Sequence, residues 1–367
     1  LFCSVMQKGI SVLTTPIFTR LLTTTEYGRY NVFSSWMDII SVFVTLRLYF
    51  GVYTQGLVKF EEERKTFSSS LQGLNLTLVA CWTILYLFFH QLINRLLGLT
   101  TLQMLCMLLM VWATEAFQFW ASEQRVEFKY RHLVILTLIV SLLKPLVGIW
   151  LVTVSQDKVT ARIAGLAFVE LIGYSGLFAV QMFRGKKFFS RKFWTYAISF
   201  NLPLIPHYLS QTVLNSSDRI MISNLVGNSE AGIYGLACSI AYVMTFFNTA
   251  LMHTLSPWVF QKIKSKRIKD IGRVAYIALI IIALANLLII LFAPEAVSIF
   301  APPKYHDAIW VIPPVSMSAL FMFSYDLFAK FEMYYEKTGY VMVASLVCAV
   351  LNLVLNYIFI NLFYLLF

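Results

Sequence analysis

Charge is what this chain has least of. Asp, Glu, Lys and Arg make up 13% of its 367 residues, where an ordinary soluble domain carries about a quarter. Hydrophobic residues reach 59%, and the mean hydropathy is +0.73. The apolar excess runs the whole length, in blocks of about 20 residues, the length a helix needs to cross a bilayer. That pattern excludes a water-soluble enzyme and specifies an all-α, polytopic helical membrane protein. Cysteine is also scarce. The five cysteines sit in apolar blocks and form no Cys-x-x-Cys, so neither a disulfide framework nor a zinc site is indicated. The aspartates form no Asp-x-Asp, and no connecting segment has room for a catalytic domain. Both absences weigh against a membrane glycosyltransferase or glycan ligase, and the chain is read as a non-enzyme without cofactor or metal.

The blocks predict eleven spans: 1–22, 30–52, 67–93, 100–122, 133–154, 161–183, 194–223, 231–257, 271–300, 308–331 and 340–362. The segments between them fall into two alternating sets. One set, with "KFEEERK", "SEQRVEFKYRH", "RGKKFFSRK", "QKIKSKRIKDIGR" and "EKTG", holds eighteen Lys and Arg residues; the other holds five. Loops that stay in the cytoplasm keep their Lys and Arg, so the first set and the N-terminus are expected inside. The formal net charge of +11 is therefore mostly topology, and no nucleic-acid partner is inferred from it.

"EYGRY" at 26–30 and "EAGIY" at 230–234 share Glu-x-Gly-x-Tyr at an offset of 204. The same offset carries the basic loop at 59–65 onto 263–269, brings the loop at 94–98 near 300–304, and brings the loop at 125–131 within one residue of 330–336. Four hairpins in register under one shift indicate a duplication, with an axis along the membrane normal. The halves are expected to be a six-helix lobe at 1–190 and a second lobe at 191–367, of which five helices are present. Residue 367 falls on residue 163, where the sixth span begins, so a final helix is expected to be missing. Thr23 and Glu26 have capping-box spacing, and Asn228 or Ser229 is expected to cap the second copy. Gly28 and Gly232 let a neighbouring helix come close.

Ionisable residues inside a span are costly and usually face a cavity or a partner. The basic candidates are Arg47, Lys144, Arg219 and Lys330, with Arg20 at a span end. The acidic ones are Asp38, Glu115, Glu170, Asp218 and Asp326. Asp326 and Lys330 are one turn apart and can pair with each other. Lys144 lies mid-span beside Pro145, with no acid one turn away on its own helix. It is read either as a cavity cation or as the partner of Glu170 on the next helix. Glu115 likewise has no basic residue one turn away.

The stretches "TTPIFTRLLTTTEYGRYNVF" (14–33), "SSDRIMISNLVGNSEAGIYGLA" (216–237) and "LNLVLNYIFI" (351–360) resemble the polysaccharide transporter branch of the multidrug/oligosaccharidyl-lipid/polysaccharide exporter superfamily. Its members include bacterial O-antigen and capsule repeat-unit flippases. Arg20 with Glu26 and Gly28, and Asp218 with Arg219, carry the match. Set against the family, the final helix or helices, and the Gly/Ala-rich turn that follows the eleventh helix, are expected to be missing from this chain. The resemblance implies two six-helix lobes about a central cavity open to one side at a time, in the bacterial cytoplasmic membrane. It further implies a flippase for oligosaccharide repeat units linked to undecaprenyl diphosphate, working among membrane lipids with glycan polymerase and glycosyltransferase partners. Lys144, Arg47, Arg219, Lys330 and Arg20 are then candidates to hold the diphosphate. Glu115, Asp38, Asp218 and Asp326 are candidates to couple transport to protons or sodium. The alternative is a multidrug or other amphipathic-solute exporter of the same superfamily.

Overall fold

Hydrocarbon offers a peptide group no hydrogen-bond partner, so each apolar block must satisfy its own backbone, and each does so as a helix. The computed structural model describes residues 2–335 and 338–364; Lys337 of the basic set and the C-terminal 365–367 lie outside them. Among the described residues there is no strand. The α-helices are α1 (Phe2–Leu21), α2 (Thr24–Thr45), α3 (Thr54–Lys59), α4 (Arg64–Leu97), α5 (Thr101–Val126), α6 (Tyr130–Val154) and α7 (Lys158–Gly185). They continue as α8 (Arg191–Asn201), α9 (Ile205–Leu225), α10 (Asn228–Lys264), α11 (Ile268–Leu291), α12 (Ala293–Phe300), α13 (Ala308–Tyr334) and α14 (Thr338–Tyr364).

Among the described residues, nine helical segments are long and apolar enough to cross a membrane, α2 and α3 counting as one. The spans expected at 1–22 and 194–223 are helical but are not among the nine. The second is broken by a turn at Leu202–Leu204 that contains Pro203, and its α9 portion is rich in Ser, Thr, Asn and Gln. The expected span 30–52 is also interrupted. A turn of π-helix at Tyr49–Tyr53 separates α2 from α3, with Phe50 and Gly51 outside helical geometry.

Contacts divide the chain into two compact units, Leu1–Asn31 with Met221–Phe367, and Val32–Ile220. They cut the chain differently from the lobes 1–190 and 191–367. Two packings account for the difference: the first hairpin packs on α10, and α8 buries Phe193, Ala197 and Asn201 among the helices of the second unit.

In the unit of Val32–Ile220, α5 and α7 pack along their length with α4 and α6 beside them. One core joins Leu48, Val52 and Tyr53 of the interrupted segment to Phe67 and Leu71 of α4, Phe119 of α5 and Phe193 of α8. Tyr53 stacks on Phe119 with centroids 4.4 Å apart. A second core packs Phe117 against Tyr174 at 4.5 Å, with Val140 and Val169 nearby. The outer faces carry exposed Leu142, Leu146 and Trp150, which suits a lipid-facing surface.

In the other unit, α10, α11 and α13 share a core of Met244, Ile282 and Phe323. The two Glu-x-Gly-x-Tyr copies meet here. A Cβ on Gly28 would lie 1.7 Å from the Asn228 carbonyl oxygen, and one on Gly232 would lie 2.2 Å from the Thr24 carbonyl oxygen. Thr24 and Asn228 are themselves related by the offset of 204. The repeated motif is thus a self-complementary helix crossing, each copy docking its glycine on the other's first turn. Thr23 and Glu26 form the expected capping box, with Thr23 N donating to Glu26 Oε2 at 2.7 Å and Glu26 N to Thr23 Oγ1 at 3.1 Å. The second copy differs from expectation. Its N-cap is Gly227 with no side-chain cap, because Asn228 accepts from Ser223 and Ser229 bonds Thr24 instead.

Candidate functional site

The interruption after α2 builds the site. Leu46 and Arg47 both sit at left-handed φ, +53° and +51°, a conformation that costs a non-glycine residue about 1–2 kcal/mol. The freed carbonyls need donors. Asn201, fully buried at the end of α8, gives its Nδ2 to the carbonyl oxygens of both Leu46 and Arg47, each at 2.8 Å. On the other side, Glu115 of α5, 4% exposed, accepts from the backbone N–H of Tyr49 at 2.9 Å. One amide and one carboxylate therefore hold the displaced backbone in place.

That backbone turns Arg47, Tyr49 and Phe50 into a cavity of about 360 Å³. Its other lining residues are Asp38 of α2 and His207, Tyr208, Gln211, Thr212, Asn215 and Ser216 of α9. The α9 residues recur at three- and four-residue steps and so form one polar face. Arg47 donates from Nη1 to the Tyr49 hydroxyl at 3.3 Å and from Nη2 to Thr212 Oγ1 at 3.4 Å. Its Nε is buried with no hydrogen-bond partner. Asp38 accepts from Ser216 Oγ at 3.1 Å, and both Arg47 and Arg219 act electrostatically on its carboxylate. Arg47 acts on Glu115 as well. The cavity thus combines a guanidinium with unused donor capacity, a nearby counter-carboxylate, and hydroxyl and amide groups suited to a hydrated ligand.

Of the residues singled out in the sequence, the structure brings Arg47 and Asp38 together in the cavity and sets Glu115 behind Arg47. Asp218 and Arg219 follow Ser216 on α9. Lys144 is elsewhere in the same unit. Its Nζ lies 2.5 Å from Glu170 Oε1, and Thr114 Oγ1 donates to Glu170 Oε2 at 3.1 Å. Of the two placements open for Lys144, the cross-helix pair is the one formed, since a carboxylate on α7 is its nearest means of neutralisation. Arg20 belongs to the other unit and donates to the carbonyls of Pro16 and Ile299 at 3.0 and 3.1 Å. Asp326 and Lys330 are also in that unit, on α13, and form no ion pair with each other among the described residues. The sequence reading missed Tyr49, Asn201, Tyr208, Gln211, Thr212 and Asn215. The polar stripe at 208, 211, 212, 215 and 216 was the available signal for α9.

Residues 1–264 match the family described as "Polysaccharide biosynthesis protein". The chain belongs to that family. Residues 203–358 of this polysaccharide biosynthesis family member also match the family described as MatE. Among curated proteins it is similar to an "Uncharacterized membrane protein" of Haemophilus influenzae, 26% identical over 54% of this chain and 50% of that protein. It is also similar to "Lsg locus putative protein 1" of the same organism, 24% identical over 42% of this chain and 39% of that one. These matches span about half the length, or less, of the curated relatives. Among solved structures it shares the fold of a multidrug resistance MATE family transporter of the MOP superfamily in an inward-facing conformation. The TM-score is 0.58 at 14% identity, covering 96% of this chain and 94% of that one. The Vibrio cholerae MATE transporter VcmN in its bent form gives a TM-score of 0.52 at 15% identity, covering 95% and 87%. The protein accordingly belongs to the polysaccharide biosynthesis family and shares the fold of MATE transporters.

Proposed function

We propose that the chain moves oligosaccharide repeat units linked to undecaprenyl diphosphate across the bacterial cytoplasmic membrane, head group first, by alternating access with its N-terminus in the cytoplasm. The observation that carries this reading is Arg47, whose backbone is held by Asn201 and, through Tyr49, by Glu115, so that its side chain lines the cavity beside Tyr49 and Thr212. A diphosphate is the anion that such a guanidinium binds well, through directional charge-assisted hydrogen bonds. Gln211, Asn215 and Tyr208 supply amide and hydroxyl partners for sugar. Asp38 balances Arg47 and Arg219 while the cavity is empty. Taking up a proton or a sodium ion at Asp38 would release both cations for the substrate, which gives ion coupling a physical route. Membership of the polysaccharide biosynthesis family supports the choice of substrate.

A second reading, export of an amphipathic cation, is favoured by the MatE match and by the transporter fold. Asp38 would then be the binding group and Arg47 its resident counter-ion. Thermal unfolding in detergent separates the two. The diphosphate-linked oligosaccharide should raise the Tm of the wild type and not that of Arg47→Ala, and undecaprenol, which has no charge, should raise neither. Stabilisation by an amphipathic cation, lost in Asp38→Asn and not in Arg47→Ala, would establish the second reading instead.

A further inference from the structure

The segment Arg184–Trp194, joining α7 to α8, has no part in the transport reading. It holds five cations, Arg184, Lys186, Lys187, Arg191 and Lys192, interleaved with Phe188, Phe189, Phe193 and Trp194. A basic loop alone needs no explanation beyond topology. Two features go further. The loop is fastened to the first turns of α4: Ser69 Oγ donates to the Lys187 carbonyl at 3.0 Å, and Trp194 Nε1 to the Ser70 carbonyl at 2.8 Å. The approach is so close that a Cβ on Gly73 would lie 2.2 Å from the Phe188 carbonyl oxygen. The α4 residues at these contacts, Ser69, Ser70 and Gly73, are small. Held in this way, Phe188 and Phe189 remain 44% and 57% exposed, with Phe189 edge-on to Trp194 at 4.8 Å. Around them Lys186, Lys187 and Arg191 are exposed and enter no ion pair among the described residues.

Two rings held outward among cations are poorly placed toward water. They are well placed at the headgroup level of a bilayer, where rings enter the acyl boundary and cations meet phosphates. We propose that Arg184–Trp194 is a docking surface for an anionic phospholipid of the leaflet it faces. The phosphate lies among Lys186, Lys187 and Arg191, and the glycerol–acyl region lies against Phe188 and Phe189. A zwitterionic lipid offers the same chains with its phosphate charge cancelled. A soluble phosphate offers the charge with nothing for the rings. The surface is independent of which solute the cavity carries.

The test uses the full chain, delipidated in detergent and titrated by native mass spectrometry with dioleoyl phosphatidylglycerol or dioleoyl phosphatidylcholine. The wild type should favour phosphatidylglycerol by about tenfold or more, as expected for several cations near one anionic headgroup. K186Q/K187Q/R191Q should bring phosphatidylglycerol binding down to the phosphatidylcholine level. F188S/F189S should weaken both lipids. Lys264, Lys266 and Lys269, exposed between and within α10 and α11, provide a charge-matched control, and their replacement by Gln should leave the preference intact. Every substituted side chain is exposed, so the fold is not at stake. Wild-type preference retained in K186Q/K187Q/R191Q would overturn the proposal. So would equal loss in the control, which would reduce the effect to net charge, and so would displacement of the lipid by glycerol phosphate at equal concentration, which would make this a small-anion site.

Discussion

Glu115 and Lys144 look alike in the sequence, each ionisable, deep in an apolar block and without a partner one turn away. The structure gives them different work. Glu115 accepts the Tyr49 N–H and so supports the backbone that presents Arg47. Glu115→Gln keeps an acceptor oxygen there and should retain transport, while Glu115→Leu leaves a buried N–H unsatisfied at a cost of about 1–3 kcal/mol and should lose it. Loss of transport in the Gln variant with normal thermal stability would make Glu115 a coupling group instead. Lys144 neutralises Glu170, whose side chain is 6% exposed. Lys144→Ala strands that carboxylate at a cost of about 3–5 kcal/mol, so the variant should fall in membrane abundance, and Lys144→Ala/Glu170→Ala should recover it. Abundance measured across the single and double variants checks this. The Lys144–Glu170 pair was among the alternatives open in the sequence because both partners are side chains. The Glu115 contact was not, because its partner is a backbone amide exposed only by a break in another helix.

Two helix interruptions shape the site, and they were unequally legible. Pro203 and Pro206 mark the α8–α9 break, since proline removes a backbone donor and clashes with the preceding turn. The break after α2 carries its left-handed residues at Leu46 and Arg47, where neither glycine nor asparagine announces them. Only Gly51, at φ +87°, hinted at it. The motif crossing was legible in part. The repeat located Gly28 and Gly232 and assigned them to close packing, but a sequence offset does not say that the two copies pack on each other. Gly28→Ala and Gly232→Ala should each lower the Tm in detergent, corresponding to about 1–3 kcal/mol of overpacking, because the added methyl meets backbone carbonyl oxygen rather than a movable side chain. Gly176, within α7, has nothing within 4 Å of a built Cβ, and Gly176→Ala should leave the Tm unchanged or raise it. Equal responses at all three glycines would remove the crossing from the account.

For the molecule as a whole, the all-helical membrane architecture followed from hydropathy alone, and the fold of MATE transporters agrees with it over 96% of the chain. The cavity did not follow, because it is made by residues of ordinary polarity on α9 and by a backbone distortion near Arg47. The central claim is that this guanidinium carries the substrate's diphosphate. The most direct measurement is flipping of a fluorescent, diphosphate-linked oligosaccharide in proteoliposomes, read by its accessibility to a membrane-impermeant quencher. The wild type should flip it. Arg47→Lys should flip it more slowly, because a point charge replaces a planar fork. Arg47→Ala should fall by about tenfold or more, the loss expected for a hydrogen bond to a charged group, at equal protein incorporation. Flipping by Arg47→Ala at the wild-type rate would contradict the account.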